Sequence, residues 1–221
     1  MSAVPVIAID GPSASGKGTV AKLAAKELGF RYLDSGALYR LVALGVAGQG
    51  NEGTDEAAAA AFAARLATPV FEGERVIFEG RDVTDAIRTE EVSTAASFVA
   101  RIPEVRAALL GRQRAFRRAP GLVAEGRDMG SIVFPDADLK VFLTASPEAR
   151  AERRYKQLNE KGIAATLAAL LQDLRERDAR DATRSAAPLK QSPEARLLDT
   201  TSMSAEQAAA LIEGWYRGAN R

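Results

Sequence analysis

The sequence predicts an α/β fold, a doubly wound parallel sheet of five strands flanked by helices. Three observations predict it. Five short runs, Val4–Ile9, Phe30–Leu33, Leu122–Ala124, Leu139–Leu143 and Arg196–Leu198, are too short for helices and mostly β-branched or aromatic in part, as strands buried on both faces are. Helical stretches separate them, at Gly18–Leu28, Val105–Arg118 and Pro147–Lys161, and such alternation is the signature of parallel βαβ units. A glycine-rich turn joins the first strand to the first helix.

The elements follow in chain order. Ala57–Ala64 is alanine interrupted only by Phe62; alanine favours helix, so this is a surface helix rather than a linker. Val70–Val83 breaks the alternation. It reads as two short strands joined by a glycine-containing turn, with Glu74 and Arg75 just after it, and Gly80-Arg81-Asp82 leading into a third strand. The segment is therefore a small antiparallel insert. Ser146-Pro147 supplies a cap and an N1 proline. Gly162 is a hinge candidate between two helices. Ser204 to Gln207 is a capping box opening the C-terminal helix.

Composition narrows the chemistry. The 221 residues hold 30 Lys plus Arg against 29 Asp plus Glu, a net charge of +1. Bulk attraction to nucleic acid or membrane is not expected. Neither Cys nor His occurs. That excludes disulfides, Cys or His zinc sites, Cys nucleophiles, Ser-His-Asp triads and imidazole bases. Carboxylates, Lys, Arg, hydroxyls and backbone amides remain, which suffice for phosphoryl transfer. The N-terminal MSAVPVIAID lacks a basic region and a long apolar run, so no signal peptide is read there and a cytoplasmic location is expected.

Gly11-Pro12-Ser13-Ala14-Ser15-Gly16-Lys17 matches G-x-x-x-x-G-K, with a strand before and a helix after. Such a loop cradles a triphosphate with backbone N–H groups, and the helix turns its positive end toward it. Lys17 is placed to reach the β- and γ-phosphates. Gly18 stands where Ser or Thr usually ligates Mg²⁺, and the hydroxyl comes at Thr19. Direct ligation of Mg²⁺ by the protein is therefore not expected. Thr19 and Glu125 are candidates through water. A G-x-G-x-x-A match at Gly16–Ala21, with Asp34 beyond, suggests a dinucleotide fold; the distance of Gly16 from its strand argues against it.

Two strand ends complete the site. Asp34-Ser35-Gly36 leads to Tyr39 and Arg40, a hydroxyl, a phenol and a guanidinium suited to a phosphate; Ser35 also reads as an ordinary helix cap. Glu125, Arg127 and Asp128 close another strand, where ligands gather in open α/β sheets. Further on, Arg150, Arg153 and Arg154 share one helix. Arg177, Arg180, Asp181 and Arg184 share a face of the next. Beside a phosphate loop these read as an arginine-lined lid.

Taken together, the phosphate loop, L-D-S-G-A-L-Y-R, T-E-E-V-S-T-A-A-S, G-R-D-M-G-S-I-V-F-P-D and E-R-D-x-R-D-x-x-R resemble bacterial cytidylate kinases nearly end to end. The resemblance implies a P-loop NTPase-like three-layer sandwich of the adenylate kinase kind. Its single kinase domain, 1–221, holds a monophosphate-binding region at about 35–113, a β insert at about 66–90 and a helical lid at about 150–185. It implies transfer of the ATP γ-phosphate to CMP or dCMP, with Mg²⁺. Ser35, Tyr39, Arg40, Arg127 and Arg184 would face the acceptor phosphate. Ser97, Arg106 and Asp128 would read cytosine, and Arg177 and Asp181 would hold the ribose. Lys17, Arg127, Arg153, Arg154 and Arg180 would act on the migrating phosphoryl group. A monomer with small-molecule substrates is expected. The alternatives are a P-loop kinase for UMP, AMP or a metabolite alcohol, where Asp34 would be the base, and a nucleotide-binding switch or ATPase.

Overall fold

Five parallel strands form the centre of the protein. The computed structural model describes residues 4–48, 55–160, 162–183 and 187–219. In chain order the sheet strands are β1 (Val6–Asp10), β2 (Arg31–Asp34), β6 (Leu122–Gly126), β7 (Leu139–Thr144) and β8 (Arg196–Asp199). Their spatial order is β2-β6-β1-β7-β8, every neighbouring pair parallel. The five runs read from sequence are these five strands, each differing by a residue or two at one or both ends.

All five residues of β1 are buried, and alternation sends them to two cores. Val6 and Ala8 pack with Leu38, Val42 and Leu109 on one face. Ile7 and Ile9 pack with Val20, Ala24 and Ile212 on the other. The first face carries α2 (Ser35–Ala47), α3 (Glu56–Arg65), α4 (Glu90–Val99) and α5 (Pro103–Arg114); the second carries α1 (Lys17–Leu28) and α8 (Ala205–Ala219). Helices on both faces of one sheet give the three expected layers. Two further helices, α6 (Pro147–Glu160) and α7 (Leu167–Thr183), pack on each other through Ala151, Leu158, Leu170 and Leu174. Lys161, the last residue of the predicted sixth helix, lies outside the described residues.

The insert is a separate antiparallel sheet of β3 (Val70–Glu72), β4 (Arg75–Phe78) and β5 (Arg81–Asp82). Glu72 pairs with Arg75, so Glu74 is a turn residue rather than the start of the next strand. The alanine-rich helix α3 forms, but it is not merely superficial: Ala59 and Ala63 are fully buried. Helix α5 starts earlier than predicted, with Pro103 in its first turn, and Ala115–Arg118 has left the helix. Both predicted caps hold. Ser146 Oγ accepts from Ala149 N at 3.2 Å. Ser204 and Gln207 bond reciprocally at 2.9 and 3.2 Å. No helix among the described residues is long and apolar enough to cross a membrane.

Candidate functional site

The sheet register builds the site before any side chain is considered. Asp10 aligns with Gly126, and both Ile9 and Asp34 align with Glu125. Three acidic residues thus end neighbouring strands at the carboxyl edge. The chain leaves β1 toward β2 and leaves β6 toward β7. Adjacent strands whose connections run in opposite directions mark the carboxyl-end crevice where ligands gather.

The loop Gly11–Gly16 rises from β1 into that crevice. A Cβ on Gly11 would stand 1.9 Å from the Leu143 carbonyl oxygen, so β7 approaches too closely for any other residue. Ala14 and Gly16 take positive φ angles of 55° and 91°. Ser15 Oγ donates to the Pro12 carbonyl at 2.9 Å, and Lys17 Nζ donates to the same oxygen at 3.0 Å. The ammonium therefore folds back over the loop, 3.9 Å from Glu125 Oε2. Burial, reinforced by the Arg127 charge, pushes Lys17 down to about 7. Burial and the Asp34 charge push Glu125 up.

A cavity of about 220 Å³ opens from this point. It gathers Lys17, Ser35, Tyr39, Arg40, Ser97, Arg106, Arg127, Asp128, Arg177 and Asp181. Arg184 lies outside the described residues. Three internal ion pairs line the walls: Arg40 with Asp34 at 2.5 Å, Arg127 with Asp181 at 2.7 Å, and Arg106 with Asp128. Burial raises Asp34, but the Arg40 guanidinium and the Ala37 N–H outweigh it and hold that carboxyl low. Burial and the neighbouring Arg127 lower Arg177 to about 10. Several buried donors stay without a hydrogen-bond partner, among them Ser13 Oγ, Arg40 Nε and Arg177 Nε. Unpaired donors beside clustered guanidinium groups suit an anion with several oxygens.

Some predicted residues stand elsewhere. Asp34, not Ser35, caps α2, accepting from Ala37 N at 2.9 Å. Its carboxylate is occupied and does not serve as a free base. Arg153 bonds to the Ser15 carbonyl at 3.1 Å and to Thr200, behind the phosphate loop. Arg154 pairs with Glu90 at the start of α4, and Arg180 with Glu176 at 3.9 Å. None of these three lines the cavity. Arg150 is a structural tie, bonding to the Ala145 and Ser13 carbonyls and bidentately to Asp178. Thr19 is exposed on α1 and lines a different cavity. Two residues past Lys17, it has rotated about 200° round the helix.

Oxygen donors for a divalent ion are correspondingly few. No cluster of three or more acidic side chains suited to a metal forms among the described residues. Glu125, beside Lys17, remains as the carboxylate not already committed to an arginine. The donors fit an ion carried by phosphates and touched by protein through water.

Two residues escaped the sequence reading. Ser93 lines the cavity one helical turn before Ser97, whose hydroxyl donates to the Ser93 carbonyl at 3.3 Å; the i, i+4 spacing was the available signal. Asp10 left no signal. Its two carboxylate oxygens accept from Met129 N at 2.7 Å and Gly130 N at 2.8 Å. The clamp fixes the turn that follows Arg127 and Asp128. Burial pushes the Asp10 carboxyl from its ordinary 3.8 up to about 6, against the pull of those two N–H groups. A raised acid takes up a proton on folding, so its favourable contribution is full below pH 3.8 and is lost as pH rises through about 6. We expect wild-type stability, relative to Asp10→Asn, to fall by about 3 kcal/mol across that window. Urea unfolding of both proteins from pH 4 to 7 reads it; parallel profiles would remove Asp10 as the titrating group.

Residues 7–215 match the family described as Cytidylate kinase. A cytidylate kinase of Polynucleobacter asymbioticus is 56% identical over 219 residues, covering 99% of each chain. One from Pseudomonas paraeruginosa is 55% identical over 225 residues, covering 97% of this chain and 98% of the other. One from Bordetella bronchiseptica is 57% identical over 215 residues, covering 97% and 96%.

Proposed function

The chain belongs to the cytidylate kinase family, and from that premise we propose how its own residues move the γ-phosphate of ATP to CMP. The reaction joins an oxygen of the CMP phosphate to the γ-phosphorus and breaks that phosphorus from its bridging oxygen, giving CDP and ADP. The acceptor oxygen is already anionic, so no general base is required. The obstacle is the mutual repulsion of two phosphates, and guanidinium and ammonium groups offset it.

The observation that carries the assignment is one small cavity lined by two groups of different chemistry. One is Lys17 with Ser13 and Ala14 of the phosphate loop; the other is Arg106, Asp128 and Ser97. Lys17 and the loop residues Gly11–Gly18 hold the ATP phosphates, and Thr19, which lines the other cavity, does not. Ser35, Tyr39, Arg40 and Arg127 hold the CMP phosphate, joined by Arg184. Arg177 and Asp181 take the ribose. Asp128 accepts from the cytosine amine, while Arg106 and Ser97 donate to the ring nitrogen and carbonyl. CMP entry replaces the Arg106–Asp128 and Arg127–Asp181 pairs with contacts to substrate. Arg153, Arg154 and Arg180 act on the phosphoryl group only after leaving their present partners, as a closing lid of about 150–185 allows. The monophosphate region spans about 35–113 and the insert about 66–90, within one domain.

Mg²⁺ is the cofactor, arriving with ATP. Glu125 would hold the ion through water, and the ion would supply positive charge against the triphosphate. The enzyme works as a cytoplasmic monomer on ATP and CMP or dCMP, without nucleic acid or membrane. ADP release is the test, with ATP and Mg²⁺ against CMP, dCMP, UMP, AMP, GMP and no acceptor. Release only with CMP and dCMP is expected. Equal release without acceptor would leave an ATPase.

Lys17 gives a second test. Above about pH 7 its ammonium in the empty site has lost its proton. A bound triphosphate favours the charged form. At pH 8 ATP binding is therefore expected to take up as much as about one proton per site. Calorimetry in two buffers of different ionisation enthalpy counts it. A heat independent of buffer would contradict the assignment.

A further inference from the structure

A second cavity, larger than the substrate site, lies apart from it. It measures about 710 Å³ and lies between the outer face of α1, the start of β2, strand β3 of the insert and the turn after α5. No residue is shared between the linings of the two cavities. Its wall is apolar and partly aromatic: Leu23, Phe30, Tyr32, Val70, Phe71 and Phe116. Tyr32 and Phe116 both stack against Phe71 at 5.7 Å between ring centres, Tyr32 edge-on, so the rings form one continuous surface.

The charge around that surface is one-sided. Lys22, Lys26, Arg31 and Arg118 line it, against the single carboxylate of Glu74. Glu74 is engaged with Lys22 at 2.6 Å. Arg31 and Arg118 turn their Nε groups to the carbonyls of Ala119 and Ala115, at 3.2 and 3.0 Å, and neither has a carboxylate partner among the described residues. Val70 is 53% exposed although large and apolar. An apolar body with one anionic head would cover the rings and pair with these cations. A neutral apolar ligand would leave the cations unpaired, and a small inorganic anion would leave the rings wet.

We propose that this cavity is a second ligand site, for a small amphipathic anion with an aromatic or branched apolar body. The site does not depend on the substrate assignment above. It does adjoin the active site, because the Tyr32 hydroxyl donates across the strand to Glu125 Oε1 at 3.3 Å.

The test uses the full chain and two fluorescent probes, 8-anilinonaphthalene-1-sulfonate and uncharged N-phenyl-1-naphthylamine, with equilibrium dialysis for stoichiometry. The sulfonate is expected to bind one per chain, with affinity changed less than about threefold by saturating CMP and ATP. The uncharged probe is expected to bind at least about tenfold more weakly. Val70→Trp fills the cavity from an exposed position, and Lys26→Glu with Arg118→Glu reverses the charge at its mouth. Each is expected to lower sulfonate affinity at least about tenfold while CMP phosphorylation stays near wild type. Retained phosphorylation shows that the variants fold. Absence of binding, displacement by CMP or ATP, equal affinity for the two probes, or survival of binding in either variant overturns the proposal.

Discussion

Lys17→Met is expected to lower kcat by about 10²–10³-fold, the usual effect of removing one donor from a developing phosphoryl charge. The KM for CMP should stay within a few-fold, because Lys17 stands with the phosphate loop. Methionine keeps most of the length and packing while removing the ammonium. The second readout is stability, and it should move the other way or not at all. Lys17 is only 7% exposed, and burial has already driven its titration down to about 7. Holding a charge there opposes folding, so its removal is expected to leave Tm unchanged or raise it. Enzyme assays at saturating ATP, with a thermal melt of the same preparation, decide the matter. A kcat within tenfold of wild type would place the charge work elsewhere. A collapsed melt would make Lys17 a structural residue first.

The second large effect is on choice of base. Wild-type kcat/KM is expected to favour CMP over UMP by roughly 10⁴, the scale on which a site built for one hydrogen-bonding pattern rejects another. Cytosine offers Asp128 an amine, whereas uracil offers a carbonyl facing a carboxylate. Asp128 is 4% exposed and paired with Arg106, so an unmatched base leaves a buried charge uncompensated. In Asp128→Ala the preference should fall below about tenfold, mostly through loss of CMP turnover rather than gain of UMP turnover. Arg106 keeps weaker bonds to Tyr39 Oη and the Ala100 carbonyl, both at 3.4 Å, so its position survives. ATP affinity should be unchanged. An intact CMP preference would take Asp128 out of the base pocket.

The strands were legible because parallel strands buried on both faces need unbroken apolar runs, and Val6–Ile9 and Leu122–Ala124 supply them. Glycine and lysine spacing located the phosphate loop for a similar reason: close backbone approach at Gly11 admits nothing larger. Helical phase brought Arg177 and Asp181 to one cavity. Phase alone did not say what else an arginine meets. Arg153 found Thr200 and Arg154 found Glu90, partners 47 and 64 residues away. Asp10 was silent for the same reason, since its partners lie 119 and 120 residues on. Thr19 was misplaced because adjacency to Lys17 in sequence is nearly opposition on a helix. The second cavity forms where the insert meets α1, a meeting that local patterns do not encode.

The ion pairs of the empty pocket bear on how salt acts. An anion binding to bare arginines releases mobile counterions, and its affinity falls steeply with ionic strength. Here the counterions are tethered: Asp34, Asp128 and Asp181 already sit on Arg40, Arg106 and Arg127. On the proposed assignment an incoming nucleotide evicts Asp128 and Asp181, which cannot diffuse away and must be rehoused within the same cavity. Few free ions are liberated, so occupancy depends on salt less than the number of arginines suggests. On the proposed assignment, stray phosphate or sulfate offers no amine to Asp128 and no hydroxyls to Asp181, and has little with which to complete the exchange.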